Sequence, residues 1–492
     1  MVSENLTPAA VIALSLWLPI SIFIFAYCRA PSIALIAIFL SAQLLLPANT
    51  NIKFPMLPPI DKASIASFGA LGGCLLFARR PLFRKRFEFG FPEILVLLLV
   101  AGPIVTSELN TDAILVGDRF LPGVGIYDAM SAAEAALIAL LPFFLGRRLL
   151  RNHEDLTAIL RTITIAGMIY CIPLLFEVRF SPQLHYWVYG YYPSDFVQAV
   201  REGGFRPMVF MGHGLLAAFF IMMSFLAAIS LWRRKMSIWS LPPVTPAAIL
   251  TLMLLVFKSL GALLYGMSGG MIVLFRKPKT IFSASLVLVA ISITYPLLRA
   301  TSLVPTGEII SFIEQINSER AQSLDFRFRN EDRLLARAFE RPFFGWGRYG
   351  RSRIYEYGND TSVTDGRWII DLGQFGLIGF LGEFGLLALC VWRSASTWRY
   401  ANSSGERLSL ATLTLIIAIN MFDLLPNASL IPLTWLLAGS LLGQAERLVT
   451  ARKTFRRTQV ANTGGIQTLD PLGAPVPRRY LERQYELNSG RA

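Results

Sequence analysis

The sequence predicts an all-α polytopic membrane protein, with about 12–13 transmembrane helices and one large, partly helical loop facing outward. Apolar residues make up 54% of the 492 positions and only 16% are charged, giving a mean hydropathy of +0.52. The apolar residues come in runs of about twenty, the length a helix needs to cross the hydrocarbon. A β-barrel would show short alternating stretches instead. A soluble chain of this length would divide into about three domains. Here the division follows the spans: a transmembrane bundle at 1–298, a large extracytoplasmic loop at 299–368, C-terminal transmembrane helices at 369–448, and a disordered basic cytoplasmic tail at 449–492.

Candidate spans run 9–27, 32–46, 63–77, 94–106, 129–145, 156–176 and 208–232. They continue with 247–257, 260–275, 281–298, 369–392, 408–422 and 430–448. The stretch 247–275 is long for one helix and short for two. It divides at Lys258-Ser259, because a lysine is costly in mid-bilayer and not at a hairpin tip. The first run lacks a basic lead-in and a small-residue cleavage site, so it reads as a span rather than a cleaved signal peptide.

Short loops rich in Lys and Arg orient the chain. Arg79, Arg80, Arg84, Lys85 and Arg86 mark one cytoplasmic loop, and Arg147, Arg148 and Arg151 a second. Arg233, Arg234 and Lys235 mark a third, and Arg276, Lys277 and Lys279 a fourth. Arg393 and Arg399, then Arg452 and Lys453 beyond the last span, put the C-terminus inside. Thirteen spans then put the N-terminus outside.

Several classes of chemistry leave no trace. Cys28, Cys74, Cys171 and Cys390 lie in or beside apolar runs at no close spacing and read as packing residues. The three histidines are scattered, so no metal is expected. No nucleotide-binding glycine loop and no internal repeat is visible, and no cofactor or nucleic-acid partner is expected.

The outward loop carries a run of arginines from Arg320 to Arg367. Arg329, Arg333, Arg337 and Arg341 recur every four residues, which on a helix makes one ridge. Leu334, Leu335, Ala338 and Phe339 can bury the opposite side, and Pro342 ends the helix. Two readings stand. Asp332 and Glu340 can pair with Arg329 and Arg337, or the ridge can grip an anion, because guanidinium holds phosphate oxygens through paired donors.

Ionisable residues at span ends on the same side are functional candidates: Glu177, Arg206, His213, Lys258, Asp365 and Arg367. The plainer readings are a hydrogen-bonded helix-end histidine for His213 and a lysine snorkelling to the interface for Lys258. Tyr186, Trp187, Tyr189, Tyr191 and Tyr192 form either an interfacial aromatic belt or a platform for sugar rings.

Three passages resemble the bacterial O-antigen ligases and the O-antigen or exopolysaccharide polymerases. Arg206-Pro207-Met208-Val209-Phe210-Met211-Gly212-His213-Gly214 is similar to that family's arginine followed by Phe-Gly-His/Asn-Pro. Lys258-Ser259-Leu260-Gly261-Ala262 resembles its Ser-Arg-Gly hairpin, with lysine in place of arginine. Arg341-Pro342-Phe343-Phe344-Gly345-Trp346-Gly347 resembles its Asn-Pro-Leu/Phe-Gly-x-Gly, followed by Asp365-Gly366 and Gly376-Leu377-Ile378-Gly379. The ligases carry a histidine where Asp365 stands, which tilts the reading towards a polymerase.

The resemblance implies a metal-independent glycosyltransferase in the bacterial inner membrane, polymerising undecaprenyl-diphosphate-linked repeat units. Its partners would be the polyprenyl-diphosphate-linked glycan, membrane lipid and other polysaccharide assembly and export proteins. Asp365, His213 or Glu177 would take the acceptor's proton. Arg206, Lys258, Arg337, Arg341 and Arg367 would offset charge on the departing diphosphate. Trp187, Tyr189 and Tyr191 would stack on sugars. The alternatives are ligase-type transfer to another acceptor, a lipid-linked sugar flippase, and an export scaffold.

Overall fold

The computed structural model describes residues 5–28, 30–53, 58–83, 89–194, 196–201, 204–315 and 317–463. The helices in chain order are α1 (Pro8–Tyr27), α2 (Pro31–Leu45), α3 (Lys62–Phe77), α4 (Arg79–Phe83), α5 (Phe91–Glu108), α6 (Ile126–Leu149), α7 (His153–Phe180), α8 (Leu184–Tyr189) and α9 (Gly214–Arg233). They continue with α10 (Val244–Val256), α11 (Leu260–Phe275), α12 (Pro278–Ala300), α13 (Thr306–Glu314), α14 (Ser318–Phe339), α15 (Arg367–Thr397), α16 (Ser404–Asp423) and α17 (Pro432–Thr463). Among the described residues, strands occur only as three short antiparallel hairpins in the connections.

Eight of these helices are long and apolar enough to cross a membrane: α1, α5, α6, α7, α9, α12, α15 and α16. Four shorter apolar helices, α2, α3, α10 and α11, accompany them. The chain is an all-α polytopic membrane protein. Its centre is α9, apolar on every face and buried from Ala217 to Leu231. A helix apolar all round belongs inside a bundle. Helices α7, α10, α11 and α16 pack against it. At the periphery, α1 leaves Ile12, Leu16 and Phe23 more than half exposed, as a lipid-facing helix does.

The division at Lys258 is observed. Helix α10 ends at Val256, Lys258 takes a left-handed φ of 53°, and α11 starts at Leu260. The last expected span, 430–448, lies within α17, which continues as helix to Thr463; residues 464–492 of the tail lie outside the described residues. Helix α17 fits against α6 through glycines. A Cβ at Gly439 would lie 2.0 Å from the Phe143 carbonyl oxygen, and one at Gly146 would lie 2.3 Å from that of Leu436. Small residues let two membrane helices approach this closely.

The bundle has two unlike ends. One carries the long connection between α12 and α15, in which α13 and α14 lie, with α14 packed on α15. At the other, Arg147 at the end of α6 pairs with both Glu93 at the start of α5 and Glu446 of α17.

Candidate functional site

The site is built around a break in α15 that the sequence pattern did not foretell. Gly376 has φ 64° and ψ −160°, backbone essentially reserved for glycine. A Cβ there would lie 2.4 Å from the Phe343 carbonyl carbon. The break strands helix-end donors and acceptors on both sides, and the 342–347 passage satisfies them. Trp346 and Gly347 N–H donate to the carbonyls of Gly373 (2.9 Å) and Gln374 (2.8 Å), while Leu377 and Ile378 N–H donate to those of Pro342 (2.8 Å) and Phe343 (3.1 Å). Two passages noted separately in the sequence, Arg341–Gly347 and Gly376–Gly379, are thus one clasp.

The clasp folds the two arms of α15 against each other. A straight helix would separate residues sixteen apart by about 24 Å. Here Arg367 Nε and Nη2 reach the Glu383 carboxylate at 2.6 and 2.7 Å, and Nε lies 3.1 Å from Asp371 Oδ1. Both carboxylates are buried. Arg367 therefore braces the bend and is not available to hold a diphosphate.

Beside the first arm lies a cavity of about 210 Å³ between α12, α14 and α16. Glu331 of α14 lines it and accepts a hydrogen bond from the Tyr295 hydroxyl (3.0 Å), with Arg299 Nε at 3.3 Å. Arg299 is held in turn by Asp332 (2.7 Å) and the Phe328 carbonyl (3.1 Å). Burial pushes the Glu331 carboxyl up to about 7, against the opposing pull of Tyr295 and Arg299. Asp365 stands at the cavity, 3.2 Å from Arg327 Nε, with both side chains more than a third exposed.

Glu331 was missed in the sequence, although its signal is present. It precedes Leu334, Leu335 and Ala338 by three, four and seven residues, so it lies on the buried stripe of α14. A carboxylate continuing an apolar stripe must find buried partners, and Arg299 ends the neighbouring span.

The loop-end cations gather in a second place. A Cβ at Gly204 would lie 2.7 Å from Lys258 Nζ, and one at Gly214 would lie 2.4 Å from Arg206 Cδ. The 204–214 passage therefore brings Lys258, Arg206 and His213 to the head of α9. His213 caps that helix, its Nδ1 accepting from Leu215 N–H at 3.1 Å. That leaves the ring proton on Nε2, so the neutral ring presents a donor there, not a base. Helix α11, headed by Lys258, sets Tyr265 edge-on to Phe422, which lines the Glu331 cavity.

Other expected residues have positioning roles. Glu177 is fully buried and accepts from the N–H groups of Leu184 (3.1 Å), Met208 (2.8 Å) and Val209 (2.8 Å), so it ties down the aromatic passage and is no base. Tyr189 and Tyr191 are buried, their hydroxyls donating to the carbonyls of Leu45 and Ala48 at 2.6 Å, and offer no face to a sugar. Trp187 remains well exposed. Arg337 and Arg341 both stack on Trp346. Arg337 pairs with Glu340 (2.5 Å), and Arg341 donates to Asn110 Oδ1 (2.6 Å) and the Leu109 carbonyl (2.9 Å). The ridge reading gives way to internal pairing, with Glu340 on Arg337 as expected, but Arg329 pairs with Asp325 (2.6 Å) and not with Asp332, which Arg299 holds. Arg341 is past the end of α14 and clamps the 342–347 passage to α5.

Among the described residues, no group of three or more His, Cys, Asp or Glu could hold a metal. No protein-family model and no curated protein matches this chain.

Proposed function

We propose that the protein is a glycosyltransferase that polymerises polyprenyl-diphosphate-linked repeat units at the outer face of the bacterial inner membrane. On this reading all thirteen apolar segments cross, the 299–368 connection faces outward and the C-terminus is cytoplasmic. The observation that carries the reading is the Glu331–Tyr295–Arg299 group in a cavity that also holds Asp365, beside the clasp joining two of the passages that resemble the polymerases.

The chemistry asks for one proton acceptor and several cations. The acceptor hydroxyl oxygen bonds to the anomeric carbon, the bond from that carbon to the diphosphate oxygen breaks, and its electron pair leaves with the diphosphate. Glu331 takes the hydroxyl proton; a base with a value near the working pH is suited to this. Asp365 and Arg327 orient the acceptor at the cavity mouth. Arg206 and Lys258 offset the charge on the leaving group. The donor is already activated, so the transfer needs no nucleotide.

The test uses proteoliposomes given labelled lipid-linked repeat units, without ATP or an ion gradient. Growth of the glycan by whole repeats is the expected outcome. Transfer only to an unrelated acceptor would mark a ligase, label crossing the bilayer without growth a flippase, and neither a scaffold. Single cysteines at Tyr357 and Lys453, in a chain with its four natural cysteines replaced, test the orientation. An impermeant reagent on the periplasmic side should label position 357 and spare 453.

A further inference from the structure

Burial divides the lining of the Glu331 cavity into a floor and a rim. Ile369 and Leu425 are buried, whereas Phe326, Val363 and the side chains of Arg327 and Asp365 are each more than a third exposed. The floor beside Glu331 is therefore apolar, with Phe422 completing it, and the charged pair stands at the rim.

The polar groups inside are engaged. Asn330 accepts from the Val363 N–H at 3.2 Å and donates to the Phe326 carbonyl at 2.8 Å. The Tyr295 hydroxyl donates to Glu331 Oε2 at 3.0 Å, and Arg299 Nε lies 3.3 Å from the same oxygen, so Oε1 remains for an acceptor hydroxyl. The walls are held from behind. Trp368 packs edge-on to Tyr295 at 5.2 Å, Tyr265 edge-on to Phe422 at 6.0 Å, and Arg299 Cζ lies 5.0 Å over the Phe328 ring. Side chains locked in this way keep their places when a ligand enters.

A cavity of about 210 Å³ takes one monosaccharide unit. An ordinary hexose brings a hydroxymethyl arm, and an N-acetyl sugar brings a carbonyl and an N–H. On the floor of Ile369, Leu425 and Phe422, those polar atoms would lose water and meet only apolar side chains, which costs free energy. A methyl group gains from the same burial.

We propose, on the reading that the protein is a polymerase, that its acceptor sugar is a 6-deoxyhexose. The methyl group sits on Ile369, Leu425 and Phe422, one hydroxyl meets Glu331 Oε1, and the others turn towards Arg327 and Asp365 at the rim. Ile369 and Leu425 then determine specificity without touching the reacting atoms. An apolar pocket rejects an added hydroxyl by about a hundredfold.

The test isolates the two-repeat product made in proteoliposomes from the natural labelled lipid-linked repeat, and identifies by NMR the sugar that bears the new bond. A 6-deoxyhexose is expected. A sugar with an oxygen on its sixth carbon, or an N-acetyl sugar, overturns the inference and leaves the proposed polymerisation standing. Absence of any two-repeat product overturns both. The same repeat with the missing hydroxyl restored on that sugar should be extended about a hundredfold more slowly at equal, sub-saturating concentration. Leu425→Asn gives that hydroxyl a partner and should narrow the gap to about tenfold, per unit of inserted protein. Ile369→Thr repeats the test at a second floor position should Leu425→Asn fail to insert. Equal rates for the two repeats in the wild type, or a gap of wild-type size in the inserted variants, overturns the assignment.

Discussion

Between Arg327 and Arg353, each guanidinium is committed to a carboxylate, a side-chain amide or a carbonyl within or beside one long connection, whereas at the other end of the bundle a single guanidinium, Arg147, spans two carboxylates and ties α5, α6 and α17 together. Arg351 shows the first arrangement most fully. It is 1% exposed and donates to the carbonyls of Trp346 (3.2 Å), Asp112 (3.0 Å) and Pro122 (2.8 Å). Its work is to close the connection over α5 and α6. The comparison teaches that counting arginines does not find an anion site, because at both ends arginines serve as internal ties: many short ones in the connection, one between helices at the far end. In the loop, the proposed chemistry rests not on the arginine ridge but on a single carboxylate, Glu331, on the opposite face of the same helix.

The largest expected effect tests the clasp that holds the loop-end arrangement. Gly376→Ala should cost at least about 3 kcal/mol, from the forbidden backbone and the overlap with Phe343. Thermal unfolding of the purified protein, or the yield of inserted chain, would register it; a wild-type melting temperature would mean that α15 is not bent at this point.

A smaller contrast lies within the arginines themselves. Arg351→Ala should cost about 3 kcal/mol, because it leaves buried carbonyls without donors. Arg353→Ala removes only a partly exposed pair with Asp360 (2.5 Å) and should cost about 0.2–1 kcal/mol. Equal losses in urea unfolding would erase the distinction between positioning and surface arginines.

A further contrast is in pH dependence. Glu331 keeps its proton up to about pH 7 in the folded chain, against the ordinary 4.5 of an unfolded one. The folded state holds the extra proton across that window. The stability this group contributes is full below the window and is lost as pH rises through about 7. Glu331→Gln should flatten that slope, read as the difference between melting temperatures at about pH 5 and about pH 8. An unchanged slope would place the titration elsewhere.

Much of the fold was legible because its causes are local. The cost of a lysine in hydrocarbon is enough to divide 247–275 at Lys258, and the chain does turn there. The apolar stripe of α14 is legible for the same reason at Leu334, Leu335 and Ala338, which are buried, but not at Phe339, which stays exposed. The Gly376 break was not, because glycines in an apolar run also read as close-packing positions in a straight span. Whether such a run bends depends on the distant 342–347 passage that supplies the missing hydrogen bonds. Arg351 was unreadable as a brace because its partners are carbonyls, which every residue carries. Tyr189 and Tyr191 looked like a belt because only the tertiary structure brings Leu45 and Ala48 to their hydroxyls. Glu331 was not singled out in the sequence, although its place on the apolar stripe of α14 was the signal.

The central claim is that Glu331 accepts the proton in glycosyl transfer. The most direct measurement is the rate of polymer formation against pH, per unit of inserted protein, for the wild type, Glu331→Gln and Arg353→Ala. The wild type and Arg353→Ala should rise to a plateau above about pH 7, and Glu331→Gln should be slower by about a hundredfold with no such rise. A Glu331→Gln protein that makes polymer at the wild-type rate, with the same rise through pH 7, would contradict it.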